Sequence, residues 1–488
     1  MFESGSREVE AAGPAATPPT PESPDLVAGE PWRAVDLREL TGTLRRLDRA
    51  VDDTERIDQL RALEEAKAAL CAAQARVTAD FAASQHAEQR ALGLREADIG
   101  AGIAAQVALA RRESPHAGNR LLGLATALVA EMPCTLAALE SGHLNEWRAT
   151  LLVKETACLT RADRTTVDGQ VAADPDRLSR LGNRRLQAEA RTAAYRLDPT
   201  AFVARAAQAP TDRRVSLRPA PDTMTWLTAL LPVAQGVAAY AALTDAADTA
   251  RAAGDPRTRD QVKADTLVAR LTGQDTAEEV TVVVDLVMTD RTLLAADDDG
   301  DDGAEPAYLP GYGIIPAPLA RDLVAGTPGG KVAIRRLFTH PTTGQLTAMD
   351  SRARTYPAAL ARYIALRDQT CRTPWCDAPI RHTDHIHPHA HGGPTDQTNG
   401  QGLCEACNHT KQAPGWHATP HTAPDARHRV TTTTPTGHTY HSAPPPPPGA
   451  PPPDARPPAA VQPGTVQPGA PPPPTRLELA FHEFLLAA

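Results

Sequence analysis

The chain has 488 residues, of which 41% are hydrophobic, 22% charged and only 4% aromatic, with a formal net charge of −9. That length and apolar content allow more than one domain with a sizeable core. The net negative charge argues against a protein that coats DNA, and the lack of any run of about twenty apolar residues excludes a membrane span.

Residues 1–33 are rich in Pro, Ser, Glu and Ala, with no apolar segment after a basic start. They read as a disordered leader rather than a signal peptide, so the protein is expected to be cytoplasmic. Leu37, Leu40, Leu44, Leu47 and Val51 then recur at spacings of three and four. The pattern resumes with Ile57, Leu60, Leu63, Ala66, Leu70, Gln74, Val77 and Phe81, after an Asp52-Asp53-Thr54 cluster suited to a helix N-cap. Two antiparallel helices are expected, closing a narrow intramolecular core or presenting a seam to a second copy or a partner protein.

Ala- and Leu-rich helices are further expected over 119–131, 135–160, 174–195 and 232–271. Cys71, Cys134 and Cys158 are scattered among them and read as small hydrophobes. β-branched runs mark strands at 214–218 and 279–288, and 331–349 reads as a hairpin turning at 340–344. The acidic run 297–303 fails the EF-hand register, since its sixth position is Asp302 and its twelfth Tyr308, so a solvated loop is expected. Residues 311–316 form a turn into a helix. Residues 34–350 are therefore expected to be an α+β, mostly helical domain.

The chemistry concentrates in 351–441. Cys371-x4-Cys376 and Cys404-x2-Cys407 are two couplets separated by 27 residues, the spacing with which a chain gathers four thiolates around one tetrahedral Zn²⁺. Disulfides are the alternative, but nothing in the chain suggests an oxidising compartment. Four thiolates leave no open coordination position, so this zinc would be structural. Within the frame stand Asp384-His385, Asn399 and Asn408, groups suited to an oxygen-liganded cation with a base beside it. If 405–412 is helical, Cys404, Asn408 and Lys411 share one face. Asp384 and His385 would end a strand and point to opposite sides. His382, His387, His389, His391 and His409 read as solvent-facing, with His387 and His391 the candidates for a phosphate or second-metal contact.

This order of residues resembles an HNH endonuclease domain of the four-cysteine, ββα-metal type. By that resemblance His385 is the general base, Asp384 and Asn408 hold the catalytic Mg²⁺ or Mn²⁺, and Asn399 fixes the loop that carries the base. The same resemblance implies hydrolysis of DNA phosphodiesters to 5′-phosphate and 3′-hydroxyl ends. Residues 34–350, with the 311–316 turn and the 340–344 hairpin turn, are similar to the helical domain of unknown function that precedes HNH modules in many actinobacterial proteins. That second resemblance implies no activity.

Residues 352–441 carry nine Lys or Arg against six Asp or Glu, whereas 1–351 carry 39 against 50. A polyanion should therefore meet the C-terminal module. Arg367, Arg372, Arg381 and Lys411 are candidates for DNA contacts, with Arg352, Arg354 and Arg362 beside them. Residues 429–440 form a closing hairpin turning at 435–437. A Pro-rich linker follows over 442–474, and 475–488 is a short amphipathic tail. Two other functions remain open: a zinc-held module that binds nucleic acid without cutting it, and an accessory protein of a mobile element or defence system.

Overall fold

The computed structural model describes residues 33–50, 52–273, 286–289, 292, 305–325, 355–421 and 427–446. Outside them lie the leader, most of the strand expected at 279–288, the acidic loop, the 331–349 hairpin, Arg352, Arg354, the chain from 447 onward and hence the tail. The chain divides after Leu63 into two units.

In the first unit, α1 (Ala34–Arg45) buries none of its residues. α2 (Asp53–Ala91) starts where the acidic cluster places it, with the Asp52 carboxylate accepting the Glu55 N–H at 3.0 Å. The periodic residues Leu37, Leu44, Leu47, Ile57 and Leu60 are exposed rather than packed into an intramolecular core. α2 runs ten residues past Phe81, because its last turns bury Gln85 and Gln89 instead of the leucines that mark its start.

The second unit begins with a helical block: α3 (Ile103–Arg111), α4 (Pro115–Glu131), α5 (Pro133–Glu140), α6 (Glu146–Glu155), α7 (Arg161–Ala172), α8 (Pro175–Ser179), α9 (Asn183–Leu197) and α10 (Pro199–Gln208). Several starts are written into dipeptides. Ser114-Pro115, Asp174-Pro175 and Asp198-Pro199 each set a capping side chain before a proline at the first helical position. The helix expected over 135–160 is instead α5 and α6. Gly142 turns the chain with a φ of 80°, and the Asn145 side chain caps α6 by accepting the Arg148 N–H at 3.0 Å. The 174–195 segment is likewise broken, into α8 and α9. α3, α7 and α10 are short and carry few leucines, so periodicity alone did not reveal them. Ala68, Ala72, Leu124, Leu128, Met132, Leu139, Leu152, Val167, Leu186 and Ala190 form the core of this block, with Cys71, Cys134 and Cys158 against it.

β1 (Arg214–Pro219) and β2 (Thr225–Leu230) pair antiparallel, with Leu217 opposite Leu227. α11 (Val233–Ala252) and α12 (Arg259–Thr272) replace the long helix expected over 232–271. They are separated at Gly254, with φ 88°, and restarted by the Thr258–Gln261 capping box. The 311–316 turn lies in a small hairpin, β3 (Ala307–Leu309) with β4 (Gly313–Ile315), which leads into α13 (Ala317–Ala325).

α14 (Ala358–Asp368) packs on β6 (Gly400–Leu403), which pairs antiparallel with β5 (His382–His385) so that Asp384 stands opposite Gln401. α15 (Glu405–Thr410) follows β6. β7 (His417–His421), β8 (Arg429–Thr433) and β9 (Thr439–Ser442) close the module as a three-stranded antiparallel sheet. This C-terminal part rests against α3. The buried Trp416 indole sits over Gly102, where a Cβ would lie 2.5 Å from Nε1. The Thr436 hydroxyl donates to Gln106 Oε1 at 3.0 Å, and Gln106 donates to Gln85 at 3.2 Å. Among the described residues no single helix is long and apolar enough to cross a membrane.

Candidate metal centre and active site

The four cysteines converge. Cys371 and Cys376 lie on the turn before β5, Cys404 is the N-cap of α15, and Cys407 lies one turn into that helix. Their sulfurs all fall within 4.8 Å of one another. Cys376 Sγ is 3.6 Å from Cys404 Sγ and 3.7 Å from Cys407 Sγ. A zinc–sulfur bond of about 2.3 Å in a tetrahedron sets sulfurs roughly 3.8 Å apart, whereas a disulfide needs about 2.05 Å. The cluster is therefore compatible with structural zinc, and none of its cysteines is disulfide-bonded. The turn supports this: Trp375 and Asp377 hold φ values of 59° and 47°, a left-handed backbone that costs on the order of 1–3 kcal/mol per non-glycine residue. Without a cation, S–H donation from Cys376 and Cys407 pulls the Cys371 thiol far down and pushes the other two up. Such a set can ionise fully only around a positive charge.

β5 delivers Asp384 and His385. The His385 ring is buried, with Nε2 at 2.8 Å from Thr395 Oγ1 and Nδ1 at 3.8 Å from Asp384 Oδ1. Tyr356 packs against the imidazole at 4.7 Å between ring centres. Burial lowers the His385 pKa below its ordinary value, against the pull of Asp384. The Tyr356 hydroxyl is buried without a hydrogen-bond partner, and burial raises its pKa well above the usual range.

Asn399 is the fastener of the loop after β5. Its amide accepts the His387 N–H at 2.8 Å and donates to the His387 and Pro394 carbonyls at 2.9 and 2.8 Å. Gly393 is required beside it, since a Cβ there would lie 2.0 Å from the His387 carbonyl oxygen. Asp396 in turn accepts the Thr398 and Asn399 N–H groups at 2.9 and 2.7 Å.

Asp384 is half-buried, and its Oδ2 accepts from the Lys411 ammonium, which also donates to the His385 carbonyl. On α15, Asn408 carries a buried side-chain oxygen with no partner among the described residues. A buried amide oxygen without a donor is costly and fits a cation ligand. The helix ends at Thr410, two residues short of the expected 412, and Lys411 caps it.

Two expected DNA contacts are corrected. Arg367 and Arg372 are buried, 8% and 4% exposed, and are held by Asp368, itself 1% exposed. Asp368 accepts Arg367 Nε at 2.7 Å, Arg372 Nη1 at 3.2 Å and the Gly402 N–H at 2.8 Å. Arg367 also donates to the Gln397 and Gly400 carbonyls, and Arg372 to the Ser442 carbonyl at 2.8 Å. Burial lowers the Arg372 pKa to about 10, with Asp368 acting against it. Both guanidiniums are thus spent inside the fold. Arg381 is exposed, whereas Lys411 is turned inward. His382, His387, His389, His391 and His409 are exposed, and the His387 and His391 rings lie 6.3 Å apart.

Sequence reasoning missed Asp368, Thr395, Tyr356 and His428. The spacing of Asp368 and Arg372, i to i+4 across a helix end, was the available signal for the first. His428 is buried and bonded to the Thr398 carbonyl at 2.9 Å, a long-range pairing with no local pattern.

Two family models match in tandem: "Domain of unknown function (DUF222)" over residues 57–368 and "HNH endonuclease" over 369–413. Among curated proteins, the uncharacterized protein Rv3776 of Mycobacterium tuberculosis H37Rv is 31% identical over 39% of this chain and 41% of its own length. The uncharacterized proteins MT2160 and Rv2100, of strains CDC 1551 and H37Rv, are each 35% identical over 28% of this chain and 22% of their own. The chain spans less than half the length of these relatives. No solved structure matches it. The first model covers well over half the chain and the second the cysteine-framed site, so the protein belongs to the DUF222 family and carries an HNH endonuclease domain behind that region.

Proposed function

We propose that the protein is a DNA endonuclease in which β5, β6 and α15 form a ββα-metal site and the four cysteines hold a structural zinc. The observation that carries this reading is the pairing of a buried His385 beside Asp384 with the side-chain oxygen of Asn408, which has no partner among the described residues. A protein that only bound nucleic acid would leave both without a role.

Asp384 and Asn408 would hold a divalent cation, Mg²⁺ or Mn²⁺, which supplies charge neutralisation at the phosphate and the leaving oxygen. His385 Nε2 is hydrogen-bonded to the Thr395 hydroxyl, and in the tautomer that donates from Nε2 the Nδ1 lone pair lies on the side of Asp384. From there His385 takes a proton from the water that attacks phosphorus in line. The P–O3′ bond breaks, leaving a 5′-phosphate and a 3′-hydroxyl. Asn399 keeps the loop, and so the imidazole, in place. Arg381 is an exposed cation available to DNA phosphates.

The test is incubation of the purified protein with supercoiled plasmid in Mg²⁺, Mn²⁺ or chelator. Metal-dependent nicked or linear product that His385→Ala fails to make supports the reading. Intact plasmid under every metal condition, with zinc-loaded folded protein, sinks it.

A further inference from the structure

The Lys411 ammonium is committed to a proposed metal ligand. Its Nζ donates to Asp384 Oδ2 and to the carbonyl of His385, the last residue of β5. The pair is sheltered, with side chains 15% and 28% exposed. Lys411 follows α15 directly, three residues after Asn408, so one short helix presents both the unpartnered amide oxygen and the ammonium.

We propose that Lys411 is a resident counter-cation of this site, holding Asp384 until a divalent ion displaces it and thereby setting the metal concentration at which the protein becomes active. The proposal rests on the reading of Asp384 and Asn408 as metal ligands.

The physical grounds are competition and release. An ammonium and a divalent cation repel each other and draw on the same carboxylate, so binding of the divalent ion disfavours the seated ammonium. Lysine suits the task because its charge is a compact point on a flexible stem, easily hydrated once freed, whereas an arginine would grip the carboxylate with two donors. The stem has somewhere to go. Lys411 lines a cleft together with Ala105, Ala108 and Leu109 of α3 and with Glu113. Glu113 is exposed and forms no ion pair among the described residues, so that cleft offers the displaced ammonium a carboxylate of the helical block.

The experiment is a titration of zinc-loaded full-length protein with Mn²⁺, without DNA, followed by electron paramagnetic resonance of the free ion. Wild type, Lys411→Met, Lys411→Gln, Lys411→Arg and Asp384→Asn are compared, with zinc content and melting as checks on folding. Lys411→Met and Lys411→Gln should bind Mn²⁺ roughly 10- to 100-fold more tightly than wild type, the range for a hydrogen bond to a charged group. Lys411→Arg should bind no better than wild type. Unchanged or weaker Mn²⁺ binding by folded Lys411→Met and Lys411→Gln overturns the proposal while leaving the metal site standing. If wild type shows no binding that Asp384→Asn removes, the metal-site reading fails and takes the role of Lys411 with it.

Discussion

Replacing Asp368 by alanine should unfold the nuclease module rather than weaken its hold on DNA. The carboxylate is 1% exposed and holds two guanidiniums that are 8% and 4% exposed, besides the Gly402 N–H. Its removal leaves two buried positive charges without their counter-charge, and breaking a buried pair from one side costs about 3–5 kcal/mol. For a domain of 60–100 residues each kcal/mol moves the melting point by about 4–8 °C, so a drop of roughly 12 °C or more is expected. The assay is thermal unfolding at saturating zinc, followed through near-ultraviolet ellipticity, with zinc content measured in parallel. Arg367→Ala should behave similarly, because the Gln397 and Gly400 carbonyls lose their donor as well. Wild-type melting of Asp368→Ala, or an Arg367→Ala protein that melts normally yet binds DNA weakly, would refute the reasoning and restore these arginines as phosphate contacts.

Metal analysis should find one zinc per chain, and Cys404→Ser should lose it together with the fold of the module; a folded, reduced, zinc-free protein would remove that frame. His385→Ala should cut plasmid about 10²–10⁴-fold more slowly, with zinc content unchanged; an undiminished rate would show that another group is the base. Asn408→Ala should raise the Mg²⁺ or Mn²⁺ concentration needed for half-maximal cleavage, and an unchanged metal dependence would remove it as a ligand. His428 is buried, and that burial lowers its pKa from 6.5 to about 4. The unfolded chain therefore takes up the proton first, and this contribution, about 3 kcal/mol at 1.36 kcal/mol per unit, is present above pH 6.5 and lost as pH falls towards 4. Denaturant unfolding of wild type and His428→Asn across that range should converge at the acid end; parallel curves would refute it.

The cysteine couplets were legible in the sequence because their spacing has a chemical reason, whereas Asp384, His385 and Asn399 stood out through the order of residues that resembles the HNH motif. The start of α8 was legible at Asp174-Pro175, whereas the same signal at Ser114-Pro115 and Asp198-Pro199 went unread. Helix breaks at Gly142 and Gly254 went unread although each glycine is followed by a capping residue, Asn145 and Thr258, because the flanking Ala- and Leu-rich runs share one helical period. Charge misled at Arg367 and Arg372. A guanidinium reads alike in the sequence whether it faces water or a buried carboxylate, and only the fold brings Asp368, Gly400 and Ser442 around it. The aromatic and hydroxyl neighbours of His385 come from residues 29 positions before and ten after it, a convergence no local pattern encodes.

The tie between Arg372 and Ser442 spans 70 residues and ends well beyond the segment matched by the HNH model. Cutting the gene at the ends of that segment would strand the Arg372 guanidinium inside an open protein and remove Trp416, whose indole packs on Gly102. A graft of this module that keeps its fold must carry residues 356–442 together and bring, or rebuild, the face of α3 on which they rest.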